Sequence, residues 1–287
     1  MSLATRRKLL PWLFLGPGLL WLLIFFLYPL LNQASVSLMS GNPEQGYDLT
    51  WAFHTYWDAI SEYKVQFGRS IVYSGIATLL CLIIGFPLAY FTAFHAGRWR
   101  GLILLLIILP FFMSYVLRTV AWQLILSDDG TVVSVLRSIG VLSDDGRLLA
   151  SATAVIAGIT YNFLPFMVLP LYVALEKIDG RLLEAATDLY ASRATACRKV
   201  TLPLAMPGIF AGSLLTFIPA CGDFINAALL GTPQQYMIGN VIQSKFLNIL
   251  DYPTAAALSF TLMLFILIGI FLYARLLGAR NLTEAAI

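Results

Sequence analysis

Charge is the scarcest property of this 287-residue chain: 11% of its residues are Asp, Glu, Lys or Arg, against 59% hydrophobic, and the mean hydropathy is +0.82. A water-soluble domain carries about 25% charged residues. The chain therefore lacks the charge to cover a surface facing water and reads as a membrane protein. Its 18 Lys and Arg exceed its 15 Asp and Glu by only three, too small a surplus for a phosphate-binding face, which excludes a nucleic-acid partner. The apolar content likewise excludes a disordered chain or a coiled coil. Cysteine is also scarce: Cys81, Cys197 and Cys221 are odd in number and form no C-x-x-C pair, so they read as buried thiols with neither a disulfide framework nor a zinc site. The two histidines, His54 and His95, read as interfacial or loop residues with no ligand role. No metal or cofactor is expected in the chain. Lysine is followed by Leu9, Val65, Ile178, Val200 or Phe246, never by Ser or Thr, so no ordinary phosphate-binding loop exists. The chain is not expected to be an enzyme, and if ATP powers it another subunit supplies the ATPase.

What is present is long apolar runs. A bilayer core about 30 Å thick needs about 20 apolar residues of helix, and six stretches qualify, at 11–31, 70–94, 101–126, 150–175, 207–230 and 253–277. The first follows Arg6, Arg7 and Lys8, as a secretory signal does, but it is longer than a signal's apolar core and reads as a retained helix. The expected fold is a single all-α membrane domain over 1–287 with six transmembrane helices.

The basic residues orient it, because cytoplasmic loops hold an excess of them. With the N-terminus inside, twelve of the 18 fall on the inner side (Arg6, Arg7, Lys8, Arg98, Arg100, Lys177, Arg181, Arg193, Arg198, Lys199, Arg275 and Arg280). Five fall outside: Lys64, Arg69, Arg137, Arg147 and Lys245. Both termini are predicted cytoplasmic. The first outer loop is rich in aromatics (Trp51, Phe53, Tyr56, Trp57, Tyr63), which fits an interfacial belt or contact with an external partner. The second contains Ser127-Asp128-Asp129-Gly130 and Ser143-Asp144-Asp145-Gly146, which lack the alternating acids of a calcium loop and read as turns and caps.

The long inner loop, 176–206, is the strongest functional signal. Asp179-Gly180 can start a helix, 182–199 is compatible with one, and Pro203 and Pro207 stop it. Its alanines, among them Ala185, Ala186, Ala191, Ala194 and Ala196, suit either a rod that another protein approaches closely or a buried connector.

Glu184-Ala185-Ala186, three residues, Tyr190, nine residues, then Val200-Thr201-Leu202-Pro203 resembles the EAA loop of ABC-importer permeases, E-A-A-x3-G-x9-I-x-L-P. Two positions depart from it: Tyr190 stands where the motif has Gly, and Val200 where it has Ile. Leu109-Pro110-Phe111-Phe112, Arg118-Thr119-Val120-Ala121-Trp122, the run 164–172 and the run 237–242 are similar to stretches of the spermidine/putrescine-type permeases. The resemblance implies a type I importer permease of the bacterial inner membrane that works by alternating access, with polyamine or a related small cation as cargo, or another small solute. It also implies a second homologous permease, two ATPase subunits carrying ATP and Mg, and an extracytoplasmic substrate-binding protein. The ATPase-coupling role of the loop carries to Glu184, Ala185, Ala186, Tyr190, Leu202 and Pro203.

Two charges lie inside the apolar runs, Arg118 and Asp223, eight and seven residues from the outer ends of theirs. At 1.5 Å per residue both lie roughly 10–12 Å below the outer surface. Intramembrane charge marks a functional site by default. Either the two pair and fix the packing, or Asp223 draws cations along a pathway with Asn226, Tyr161, Asn162, Trp122 and Tyr115 beside it. Two rivals are an ion-coupled transporter using Asp223 as its carrier and a non-transporting scaffold; the first leaves the inner loop without a role and the second leaves the two charges unexplained.

Overall fold

A computed structural model describes residues 14–140, 142–143 and 146–277. Residues 11–13 of the first apolar run, the basic cluster Arg6, Arg7 and Lys8, Arg280, and Asp144-Asp145 lie outside the described residues. The chain is mostly helical. Among the described residues four helices are long and apolar enough to cross a membrane, or up to six if each of two bent pairs counts as one span. By compactness the described chain forms two units, one from 14–62 and 242–263, the other from 63–241 and 264–277.

In the first unit, α1 (Phe14–Val36) has none of its most apolar stretch buried. A helix apolar all round and uncovered by the rest of the described residues suits lipid or an apolar partner helix. It leads into a small antiparallel hairpin, β1 (Met39–Asn42) and β2 (Gly46–Leu49), which departs from the all-helical expectation. Glycine makes that hairpin possible: Gly46 has φ 92°, and a Cβ on Gly41 would lie 2.2 Å from the Gly46 carbonyl oxygen. The Tyr47 hydroxyl donates to the Leu250 carbonyl at 2.7 Å, tying the hairpin to the chain before α12 (Tyr252–Leu277).

The helix α2 (His54–Phe94) begins well before the expected residue 70, with a kink at Tyr63. In the second unit the expected run 101–126 is two helices, α3 (Gly97–Phe112) and α4 (Tyr115–Leu126), and the pair bends by 96° once α5 (Thr131–Ser138) is included with α4. Pro110 in the last turn of α3 and the extended backbone at Met113 and Ser114 make the break. By contrast α6 (Ala152–Glu176) matches its expected run; Ser151 caps it, accepting from Ala154 N at 3.1 Å.

The inner loop folds as α7 (Gly180–Asp188) and α8 (Arg193–Leu204), where one helix was expected. Asp179 caps α7 as its sequence suggests, its carboxylate accepting from Arg181 N at 3.0 Å. The run 207–230 is likewise broken, into α9 (Met206–Cys221) and α10 (Ile225–Leu230), after which α11 (Ile238–Gln243) follows. The centre of this unit is α6 on α9, where Met167, Val168, Leu171 and Ile209 are buried together. Small residues allow that approach: a Cβ on Gly208 would meet Ala174 Cβ at 2.5 Å, and one on Gly212 would meet Met167 Sδ at 2.8 Å.

Candidate functional site

The break between α9 and α10 puts Asp223 outside any helix, where its carboxylate takes two kinds of donor. Oδ1 accepts from the backbone amides of Ile225 at 2.9 Å and Asn226 at 3.2 Å. Oδ2 accepts from the Tyr115 hydroxyl at 2.8 Å and from Asn226 Nδ2 at 2.5 Å. Three N–H donors and the Tyr115 hydroxyl face the group, an arrangement that suits a carboxylate. Asn226 Nδ2 also donates to the Tyr115 oxygen at 2.7 Å. Asn226 Oδ1 accepts from Thr119 Oγ1 at 3.4 Å and from Asn162 Nδ2 at 3.3 Å. Residues of α4, α6 and α10 and the break before α10 are thus joined in one polar group, with Asp223, Asn226, Asn162 and Thr119 all buried.

Helical spacing on α4 brings Tyr115 and Thr119 to the face that meets α10. Arg118 is adjacent but separate. The ion pairs formed among the described residues do not include Arg118 with Asp223, although the two charges were placed at one depth. Hydropathy sets depth along a helix and leaves rotation open, and here the carboxylate turns to Tyr115 and Asn226. The Arg118 guanidinium lies over the rings of Phe111 and Tyr115, at 5.7 and 5.5 Å, a cation–π arrangement. The side chain is buried, and its Nε and Nη1 have no hydrogen-bond partner among the described residues. Trp122 and Tyr161 meet each other edge to face at 5.4 Å, and no hydrogen bond joins them to the polar group among the described residues.

On the inner loop no residue of α7 is buried, so it is not a buried connector within this chain. Glu184 and Ala185 are exposed and Ala186 is half-buried. Leu202 and Pro203 lie in the last turn of α8 and are exposed as well. Tyr190, in the motif's Gly position, has a left-handed φ of 60°, so the turn that Gly favours is kept although the residue differs. An apolar cleft of about 820 Å³ opens beside this loop, between α6 and α9, lined by Phe166, Val173, Leu182, Leu204 and Leu215.

Residues 85–279 match the family described as binding-protein-dependent transport system inner membrane component. The chain belongs to that family. It is 39% identical over 256 residues to the spermidine/putrescine transport system permease protein PotB of Haemophilus influenzae, covering 89% of this chain and 90% of that protein. In fold it is similar to a bacterial ABC transporter involved in the import of the acidic polysaccharide alginate, with TM-score 0.71, 21% identity and coverage of 95% and 96%. A second structure, that alginate transporter in complex with a pentasaccharide-bound periplasmic protein, gives TM-score 0.65 at 22% identity, covering 93% of each chain.

As an inner membrane component of this family the chain is a transport subunit, and ATP hydrolysis belongs to a separate subunit of such systems. The matched region contains both the polar group and the inner loop. Three polar residues of the break went unnoticed in the sequence. Thr119 bridges Asn226 and Asn162; Asn240 Nδ2 donates to the Phe224 carbonyl at 2.8 Å; Ser70 Oγ accepts from Ile238 N at 2.9 Å. Thr119 and Asn240 lay inside stretches quoted for their likeness to permeases, and a polar residue in an apolar run was the available signal for all three.

Proposed function

We propose that this permease forms one half of the membrane channel of an ABC importer that takes up polyamines such as spermidine and putrescine, or a related small cation. The observation that carries the reading is the 39% identity to a permease named for those two solutes, extending over 89% of the chain. The buried carboxyl of Asp223 supports a cationic cargo, since it is an acidic group in an apolar run with three N–H donors directed at it. In this reading Asp223, Arg118, Tyr115, Trp122, Tyr161, Asn162 and Asn226 line or support the pathway.

The whole of 1–287 acts as one permease domain with six spans and cytoplasmic termini; the four long helices, the bent pair 97–138, the apolar helix α9 and the inner bias of Lys and Arg support that reading. Glu184, Ala185, Ala186, Tyr190, Leu202 and Pro203 face one of two ATPase subunits, which carry ATP and Mg, and a second homologous permease completes the channel. An extracytoplasmic binding protein delivers the cargo, as the periplasmic protein bound in the structural neighbour supports. Transport is by alternating access: closure of the ATPases moves α7 and α8 and favours the outward-open state, and hydrolysis favours the inward-open one. The permease contributes differential stability of the two states.

Purification of the permease from its native membrane tests this. The expected result is recovery of an ATPase subunit that is lost in Glu184→Arg, and ATP-dependent uptake of spermidine by the reconstituted complex. Uptake by the permease alone would overturn the ATPase-coupled reading, and ATP-driven uptake of a different solute in place of spermidine would overturn the polyamine assignment.

A further inference from the structure

The turn between α7 and α8 closes α7 as a Schellman motif. Ala191 N donates to the Ala186 carbonyl at 3.0 Å and Tyr190 N to the Thr187 carbonyl at 2.9 Å, which puts Tyr190 at the left-handed position just past the helix end. Glycine is the usual residue there because a Cβ is disfavoured by the backbone at positive φ. A bulky aromatic is the opposite choice.

Four non-glycine residues have positive φ among the described residues, and three of them gain something within the chain. Ala150 N donates to the Leu230 carbonyl, the Leu250 carbonyl accepts from the Tyr47 hydroxyl, and the Trp51 ring stacks on Phe53. The Tyr190 ring gains nothing comparable among the described residues: it is 98% exposed, and its neighbour Leu189 is 82% exposed. A strained backbone that presents a rigid aromatic and an aliphatic side chain to open space fits an interface anchor, since tyrosine gives large contact area for little lost side-chain freedom.

We propose that Tyr190, with Leu189, inserts into the ATPase subunit and restricts which ATPase this permease accepts. This rests on the coupling role proposed for the loop. The ATPase is favoured over the lipid surface as the occupant because the ring projects from the turn that closes α7, on the same exposed loop as Glu184 and Ala185. An ATPase that fits a glycine turn would lack a pocket for the ring, whereas one built for this permease has an apolar socket with an acceptor for the phenol hydroxyl.

The affinity of the detergent-purified permease for the ATPase subunit recovered with it, measured for wild type, Tyr190→Gly, Tyr190→Phe and Glu184→Arg, tests the proposal. Tyr190→Gly is expected to weaken binding about tenfold or more while raising the melting temperature of the permease alone, so that lost binding cannot be ascribed to misfolding. Tyr190→Phe is expected to retain most of the affinity. Unchanged affinity in Tyr190→Gly, with Glu184→Arg still disruptive, overturns the anchor and leaves the coupling loop standing. No effect from either substitution overturns the coupling role itself.

Discussion

Replacing Asp223 with asparagine separates two things its carboxylate does at once. Oδ1 holds the backbone amides of Ile225 and Asn226, and an amide oxygen can go on doing so. Oδ2 faces the Tyr115 hydroxyl and Asn226 Nδ2, and an NH2 in its place would confront both donors. The Tyr115 hydroxyl can rotate and accept. Asn226 cannot turn its amide without giving up Thr119 and Asn162, which its Oδ1 already serves. One charge-assisted hydrogen bond is therefore lost, about 1.5–3 kcal/mol, offset in part because a buried charge is removed. The net loss of stability is expected to stay below about 2 kcal/mol, and the transporter should assemble.

The charge itself matters more to a passing cation. At about 4–8 Å and an effective dielectric constant of about 20 it is worth roughly 2–4 kcal/mol, or about thirtyfold to a thousandfold in the efficiency of transport. The assay is uptake of labelled spermidine at subsaturating concentration into proteoliposomes holding the assembled importer, its binding protein outside and ATP within. A fall of tenfold or more with normal recovery of the ATPase subunit is expected. Unchanged uptake would refute the role of Asp223 in cation transport, and loss of assembly would make it a packing residue.

Four further substitutions probe this group and the packing of the helices that carry it. Arg118→Met removes two buried donors without acceptors and keeps only the apolar stem of the side chain, so the isolated permease should gain about 1–2 kcal/mol despite losing the contacts with Phe111 and Tyr115; a lower melting temperature in detergent would contradict it. Asn226→Leu removes the four hydrogen bonds that its side chain makes with Asp223, Tyr115, Thr119 and Asn162 and should cost about 3 kcal/mol or more by the same thermal measurement, with a loss under about 1 kcal/mol refuting the network. Gly212→Ala should cost about 1–3 kcal/mol, because its Cβ meets Met167 Sδ at 2.8 Å and the Met167 carbonyl at 3.0 Å. Gly269→Ala, whose Cβ meets nothing within 4 Å, should be near neutral, and equal effects of the two would refute close α6–α9 packing as the cause.

Runs such as 150–175 and 253–277 were legible to within a few residues, because hydropathy adds over some twenty positions and the helices there are continuous. The breaks at 113–114 and 222–224 were not, since an apolar window sums side chains and is blind to backbone direction. Their local signs were present in Pro110 and in Pro219 followed by Gly222, both of which also fit a mere kink. Residue counts placed Arg118 and Asp223 at one expected depth, but whether they form an ion pair depends on which way each side chain turns, and here the carboxylate turns to Tyr115 and Asn226. At Tyr190 the motif's usual glycine already pointed to a left-handed turn, and the backbone keeps that turn with the wrong residue for it.

Broken helices also bear on whether the polar group serves structure or transport. A helix interrupted within a bilayer exposes amides and carbonyls that lipid cannot satisfy, so such breaks persist only where protein groups or a water-filled cavity satisfy them. Here Asp223 accepts from the Ile225 and Asn226 amides, Asn240 donates to the Phe224 carbonyl and accepts from Met237 N, and Ser70 accepts from Ile238 N. Neutral side chains satisfy the backbone at Phe224, Met237 and Ile238. An asparagine or serine would cap Ile225 and Asn226 equally well, at less desolvation cost than a carboxylate. Capping therefore accounts for a polar residue at 223 but not for a charged one. The excess charge is what a cationic cargo would use, and Asp223→Asn removes that excess while leaving the cap in place.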